Sequence, residues 1–167
     1  MSIMRILIIA VGLFAMSSIC DAQQTIFIVR HADKADNSVD PPLSPNGKAR
    51  AKDLAKLLRN ANVTAIYTSQ FQRAIKTAEP LADKLGLEIK KEFTGDPASF
   101  AKLLAKQNPV GNVLVVGHSD TVPELLKSLG HSPSPPIQIS EVEFDNLFMV
   151  VPTKNSAPTV VRFRYGK

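Results

Sequence analysis

The chain has no tryptophan, two tyrosines and a single cysteine among 167 residues. Aromatic residues make up only 6%, so the stacking platform on which nucleic-acid binders lay out their bases is missing. The 20 Lys and Arg residues are scattered rather than gathered into a stripe, which removes the electrostatic footprint of such a binder. Cys20 stands alone, so no disulfide can close within the chain. Long apolar runs are missing as well. The longest, Ile6 to Met16, follows Arg5 and is too short to cross a bilayer comfortably.

A positive residue, a short apolar run and small residues at Cys20 and Ala22 have the form of a secretory signal peptide. The expectation is a leader over residues 1–22, cut after Ala22, and a periplasmic or secreted domain over residues 23–167 with no stable membrane span. Cys20 opens a second route, lipidation to a lipoprotein, against which the bulky Ile19 argues. A cut after Ala22 leaves no cysteine, which excludes thiolate catalysis and cysteine-based metal sites. The leader carries one basic and one acidic residue, Arg5 and Asp21, so the formal net charge of +5 belongs to the domain. A field of that sign draws anionic substrates or surfaces toward the protein.

What remains reads as strands alternating with helices. Thr25 to Val29 is a short β-branched run suited to a strand buried on both faces. Ser44 and Pro45 have the chemistry of an N-cap and a first helical residue, and a helix is expected to about Ala61. Val63 to Thr68 predicts a strand, and Gln70 to Leu85 a helix closed by Gly86 and kinked or restarted at Pro80. Leu87 to Lys90 predicts a third strand, Asp96-Pro97 opens a helix to about Gln107, and Asn112 to Gly117 is the clearest central strand. A helix near Val122 to Leu129 and strands near Phe148 to Val151 and Val160 to Tyr165 complete the order. The pattern predicts an α/β protein, a three-layer α/β/α sandwich with a mostly parallel central sheet.

Ligands of such sheets bind beyond the carboxyl ends of the strands. Arg30-His31, Ser69 with Arg73, and Gly117-His118 all fall at such ends. Gathering two imidazoles and two guanidiniums at one crevice is costly unless an anion occupies it, and phosphate is the natural occupant. Zinc held by His31, His118 and Asp33 or Asp120 is open by residue type, but the adjacent arginines oppose a cation. Ser69 and Lys34 have ordinary alternatives, as a helix cap and an exposed loop lysine.

Val29-Arg30-His31-Ala32 resembles the signature of the histidine phosphatase superfamily, also called phosphoglycerate mutase-like. Leu43 to Ala51 resembles that family's helix start, Tyr67 to Ala78 its Ser-x-x-x-Arg-Ala-x-x-Thr-Ala segment, and Val115 to Ser119 its Gly-His turn. The resemblance implies that His31 is a nucleophile forming a phosphohistidine and that Arg30, Arg73 and His118 clamp the phosphoryl group, with neither metal nor cofactor required. The acid that protonates the leaving oxygen stays open between Asp120, Glu92 and Asp33. Asp120 follows the Gly-His turn with one residue more than the related acid segment has, and it is also placed to cap a helix. The expected partner is a small-molecule or protein phosphate, including phosphohistidine. Two rival classes stand beside the enzyme: a non-catalytic phosphate-binding module, and an envelope protein held to anionic lipid by its net charge.

Overall fold

A computed structural model describes residues 24–107, 111–153 and 155–166. The expected leader over residues 1–22 lies outside the described residues.

Strands β1 (Ile26–Arg30), β2 (Val63–Thr68), β3 (Ile89–Lys90), β4 (Asn112–Gly117), β5 (Asn146–Val151) and β6 (Thr159–Arg164) form one sheet in the order β3-β2-β4-β1-β5-β6. Helices α1 (Pro45–Leu58), α2 (Gln72–Leu85), α3 (Pro97–Gln107) and α4 (Thr121–Ser128) connect them. The pairs β2 with β3, β2 with β4 and β1 with β4 are parallel, while β5 runs antiparallel to both neighbours. The central strands are apolar almost throughout because both of their faces are covered. Ile26, Ile28, Val113 and Val115 pack with Phe100, Leu104, Leu125 and Leu126 of α3 and α4. Phe27, Val29, Leu114 and Val116 pack with Leu54, Leu58, Ala78 and Leu81 of α1 and α2 on the other face. This is the predicted three-layer α/β/α sandwich.

Ser44 caps α1 as its chemistry suggests, its Oγ accepting from Gly47 N at 3.0 Å, with Pro45 at the first position. Gly47 itself is dictated by space, since a Cβ there would lie 2.2 Å from the Asp33 carbonyl oxygen. Three expectations needed adjustment. Helix α2 runs through Pro80 without restarting, because Ala74, Thr77 and Ala78 before it and Leu81 and Ala82 after it are buried along one face. Strand β3 is shorter than Leu87 to Lys90, since Leu87 N is spent on Ala82 O at 3.0 Å, closing α2 beside the left-handed Gly86. Strand β5 starts earlier, at the buried Asn146.

The chain leaves β1 toward β2 on one side of the sheet and leaves β4 toward β5 on the other, so β1 and β4 flank the point where the winding reverses. Arg30 pairs with Gly117 there, and His31 N donates to Gly117 O at 2.9 Å. A crevice at such a point is where this architecture binds ligands.

Candidate active site

A cavity of about 470 Å³ opens at those strand ends, lined among others by Arg30, His31, Ser69, Arg73, His118, Asp120 and Glu141. The residues expected to converge do so, arriving from β1, the β2–α2 turn, the first turn of α2 and the end of β4.

His31 is 3% exposed. Its Nδ1 lies 2.8 Å from the Ala32 carbonyl oxygen; a carbonyl only accepts, so Nδ1 carries the proton and Nε2 keeps the lone pair. Burial, reinforced by His118, Arg30 and Arg73, lowers the His31 pKa to about 3 against the Ala32 bond, which raises it. The imidazole is therefore neutral at pH 7, the state that can attack phosphorus. His118 stands with its ring centroid 5.2 Å from that of His31, and its pKa is lowered to about 4, first by burial and next by Arg73. Its Nε2 is 2.8 Å from Ser69 Oγ, so Ser69 orients His118.

Arg30 is held more completely than its place in the motif implies. Nη1 donates to Ser140 O at 2.7 Å and to Glu143 O at 3.2 Å, Nη2 donates to Glu141 Oε2 at 2.8 Å, and Phe144 lies under the guanidinium at 4.3 Å. Burial lowers its pKa and Glu141 opposes this, but a guanidinium stays charged at any relevant pH. Nε of Arg30 and Nε of Arg73 are both buried without a protein partner. Such donors are expensive to leave unmade. Arg73 is stacked on Phe71 at 4.3 Å and sits 3.9 Å from Asp40. Asp40 also accepts from Gln72 N at 2.8 Å, capping α2 from another segment.

Two glimpses of the motifs' logic come from small residues. Thr77 Oγ1 accepts from Ala32 N at 2.9 Å and donates to Arg73 O at 2.7 Å, tying the loop that carries His31 to the helix that carries Arg73. At Gly117 a Cβ would stand 2.6 Å from Phe93, so no larger residue fits before His118.

The acid candidates separate. Asp120 lines the cavity while its Oδ1 accepts from Thr121 N at 2.7 Å as the cap of α4. Glu92 is exposed and does not line the cavity, although Phe93, Thr94 and Gly95 beside it do. Asp33 is turned to Arg50, 2.7 Å away. Lys34 lies at the cavity's edge. Among the described residues no group of three or more His, Cys, Asp or Glu side chains is arranged to hold a metal ion. Sequence reasoning missed Glu141 and the whole of segment 140–144. The only signal was composition, acidic Glu141 and Glu143 and aromatic Phe144 just ahead of a strand.

Residues 26–94 match the family model of the histidine phosphatase superfamily, branch 1. The chain is 38% identical over 74 residues to phosphoserine phosphatase 1 of Hydrogenobacter thermophilus, covering 40% of this chain and 35% of that protein. It is 36% identical over 73 residues to a probable phosphatase of Schizosaccharomyces pombe, covering 39% of this chain and 26% of that one. The chain thus spans only about a third or less of these curated relatives. In three dimensions it is similar to the protein histidine phosphatase SixA, solved with tungstate, with a TM-score of 0.70 and 23% identity over 84% of this chain and 97% of that one. The family-model match covers residues 26–94, and the likeness to SixA shows the fold, which is phosphoglycerate mutase-like.

Proposed function

We propose that this chain is a histidine phosphatase that hydrolyses phosphomonoesters, or phosphorylated histidine or protein substrates, through a phosphohistidine on His31. The observation that carries this is a buried imidazole held neutral by its surroundings, with Nδ1 committed to Ala32 and with Arg30, Arg73 and His118 lining the same cavity.

His31 Nε2 attacks phosphorus in line, and the bond from phosphorus to the leaving oxygen breaks as the new bond forms. Arg30, Arg73 and His118 oppose the charge on the non-bridging oxygens, in a site built before the substrate arrives. Asp120, at the cavity wall, is the group we assign to deliver a proton to the leaving oxygen. Water then attacks phosphorus on the phosphohistidine, the phosphorus–nitrogen bond breaks, and inorganic phosphate leaves. No step calls for a cofactor.

Hydrolysis of p-nitrophenyl phosphate tests the reading: purified protein turns it over and His31→Ala does not. Brief incubation with a labelled phosphodonor, quenched in alkali, places acid-labile label on the His31 peptide. Protein that binds phosphate yet stays inert across a broad pH range would instead be a binding module, a reading favoured by the engagement of Asp120 as a helix cap. The apolar run Ile6 to Met16 ahead of Ala22 supports export of the domain. Cell fractionation that finds the full-length chain among cytosolic markers would refute it.

A further inference from the structure

The wall of the cavity that the motifs do not supply is the segment 140–144, and one side chain of it faces the chemistry. Glu141 is 73% exposed at its side chain, yet both carboxylate oxygens are engaged: Oε2 accepts from Arg30 Nη2 at 2.8 Å and Oε1 from Ser119 Oγ at 2.5 Å. The Ser119 hydroxyl, and after it Arg30, hold the carboxyl below its usual range despite partial desolvation. Glu141 therefore carries a full negative charge at neutral pH. Nη1 and Nη2 of Arg30 are both taken by this segment, and Nε is buried without a protein partner.

In-line attack sets where the rest of the substrate lies. His31 is 3% exposed whereas Asp120 and Glu141 are exposed, and we assign the leaving group, on the far side of phosphorus from Nε2, to that exposed side. Of the cavity's lining, Gln70, Thr94, Gly95, Asp120 and Glu141 are exposed, and Lys34 is half-buried. The charged groups on that side are the carboxylates of Asp120 and Glu141 and the ammonium of Lys34, whose field also acts on Glu141. The cations of the floor are matched to the phosphoryl group; the leaving group meets the acids.

We propose that Glu141 is a specificity-determining residue, a fixed negative charge at the mouth that favours phosphomonoesters with neutral or cationic leaving groups and disfavours those carrying a second anionic group. This rests on the phosphatase reading for the direction of the leaving group. The rival role, that Glu141 only steadies Arg30, predicts a common loss for every phosphate ligand.

Equilibrium binding separates the two. In a His31→Asn background, which stops turnover, phosphoethanolamine, 2-phosphoglycolate and inorganic phosphate are titrated calorimetrically with Glu141 present and as Glu141→Gln. Gln keeps an acceptor for Arg30 and removes the charge. The expected result is tighter binding of phosphoethanolamine than of 2-phosphoglycolate with Glu141, and a ratio that narrows by about tenfold in Glu141→Gln, chiefly through gain for phosphoglycolate. Equal shifts for both ligands, or an initial preference for phosphoglycolate, overturn the proposal. The same ratio is read as kcat/KM with His31 intact. Absence of turnover there, with the binding ratio still responding to Glu141, would sink the phosphatase reading and leave the selectivity standing.

Discussion

His31 donates from Nδ1 to the carbonyl oxygen of its own neighbour, Ala32, at 2.8 Å, and Ala32 in turn donates its amide to Thr77 at 2.9 Å. The imidazole is thus oriented by the backbone of the loop it stands on, and no carboxylate is spent on it. That choice keeps the imidazole neutral, because burial is not offset by an adjacent acid, and it makes the fold sensitive to acid.

The sign follows from the folded pKa of about 3 lying below the ordinary histidine value of 6.5. Between those values the unfolded chain binds a proton that the folded one refuses, so stability falls as the pH drops through this window and the loss is complete only below about pH 3. His31→Asn removes the effect. Urea unfolding at pH 7 and pH 4.5 should show wild type losing about 2 kcal/mol more than His31→Asn over that interval. Equal losses would mean that His31 is not buried neutral.

Thr77 offers a cleaner test of how the motifs cooperate. Thr77→Val keeps the shape but leaves the Ala32 amide without its acceptor, which should cost about 1–3 kcal/mol and lower kcat, because the loop carrying His31 loosens. Thr77→Ser keeps the hydroxyl and should restore most of kcat while recovering only part of the stability. Chemical denaturation and initial rates on p-nitrophenyl phosphate read the two effects separately. A Val variant with unchanged kcat would show that the tie is structural alone.

Much of this site is legible in the residues themselves. Strand ends followed by Arg30-His31 and Gly117-His118 announce a crevice because parallel strands deliver their carboxyl ends to one edge, and Ser44-Pro45 announces α1 through capping chemistry alone. What stayed hidden depends on long-range contact. Asp40 caps α2 from another segment, Thr77 reaches back to Ala32, and Glu141 finds Arg30 across 111 positions of chain. No local period or spacing encodes such pairs. The shortened β3 has the same origin, since the closure of α2 claims Leu87 before the sheet can.

Gly117 is forced by space. An added methyl would press on Phe93, itself buried and stacked on Phe100 at a centroid distance of 4.6 Å. Gly117→Ala should destabilise by about 1–3 kcal/mol and displace His118, raising the KM for phosphate esters. Phe93→Leu in the same chain should return part of both, since it withdraws the ring edge. Additive losses in the double variant would show that Phe93 is not what limits the position.

Arg30 and Arg73 differ in what they hold within the protein, and that difference can be measured. Arg30 binds the carbonyls of Ser140 and Glu143 and the carboxylate of Glu141 from an environment where it is 1% exposed, whereas Arg73 makes a 3.5 Å contact with Val39 O, a 3.9 Å one with Asp40 and a stack on Phe71. Lysine has one ammonium and no planar fork, so it cannot replace this set of bonds. Arg30→Lys and Arg73→Lys should both lower kcat/KM, but only Arg30→Lys should also destabilise the fold, by about 2–4 kcal/mol. It should further speed amide hydrogen exchange in residues 140–144, which lose their anchor, while Arg73→Lys leaves that segment protected. Equal exchange in the two variants would mean that the segment is held by its own contacts, such as Glu143 N to Ser140 O at 3.0 Å, and that Arg30 serves the phosphoryl group alone.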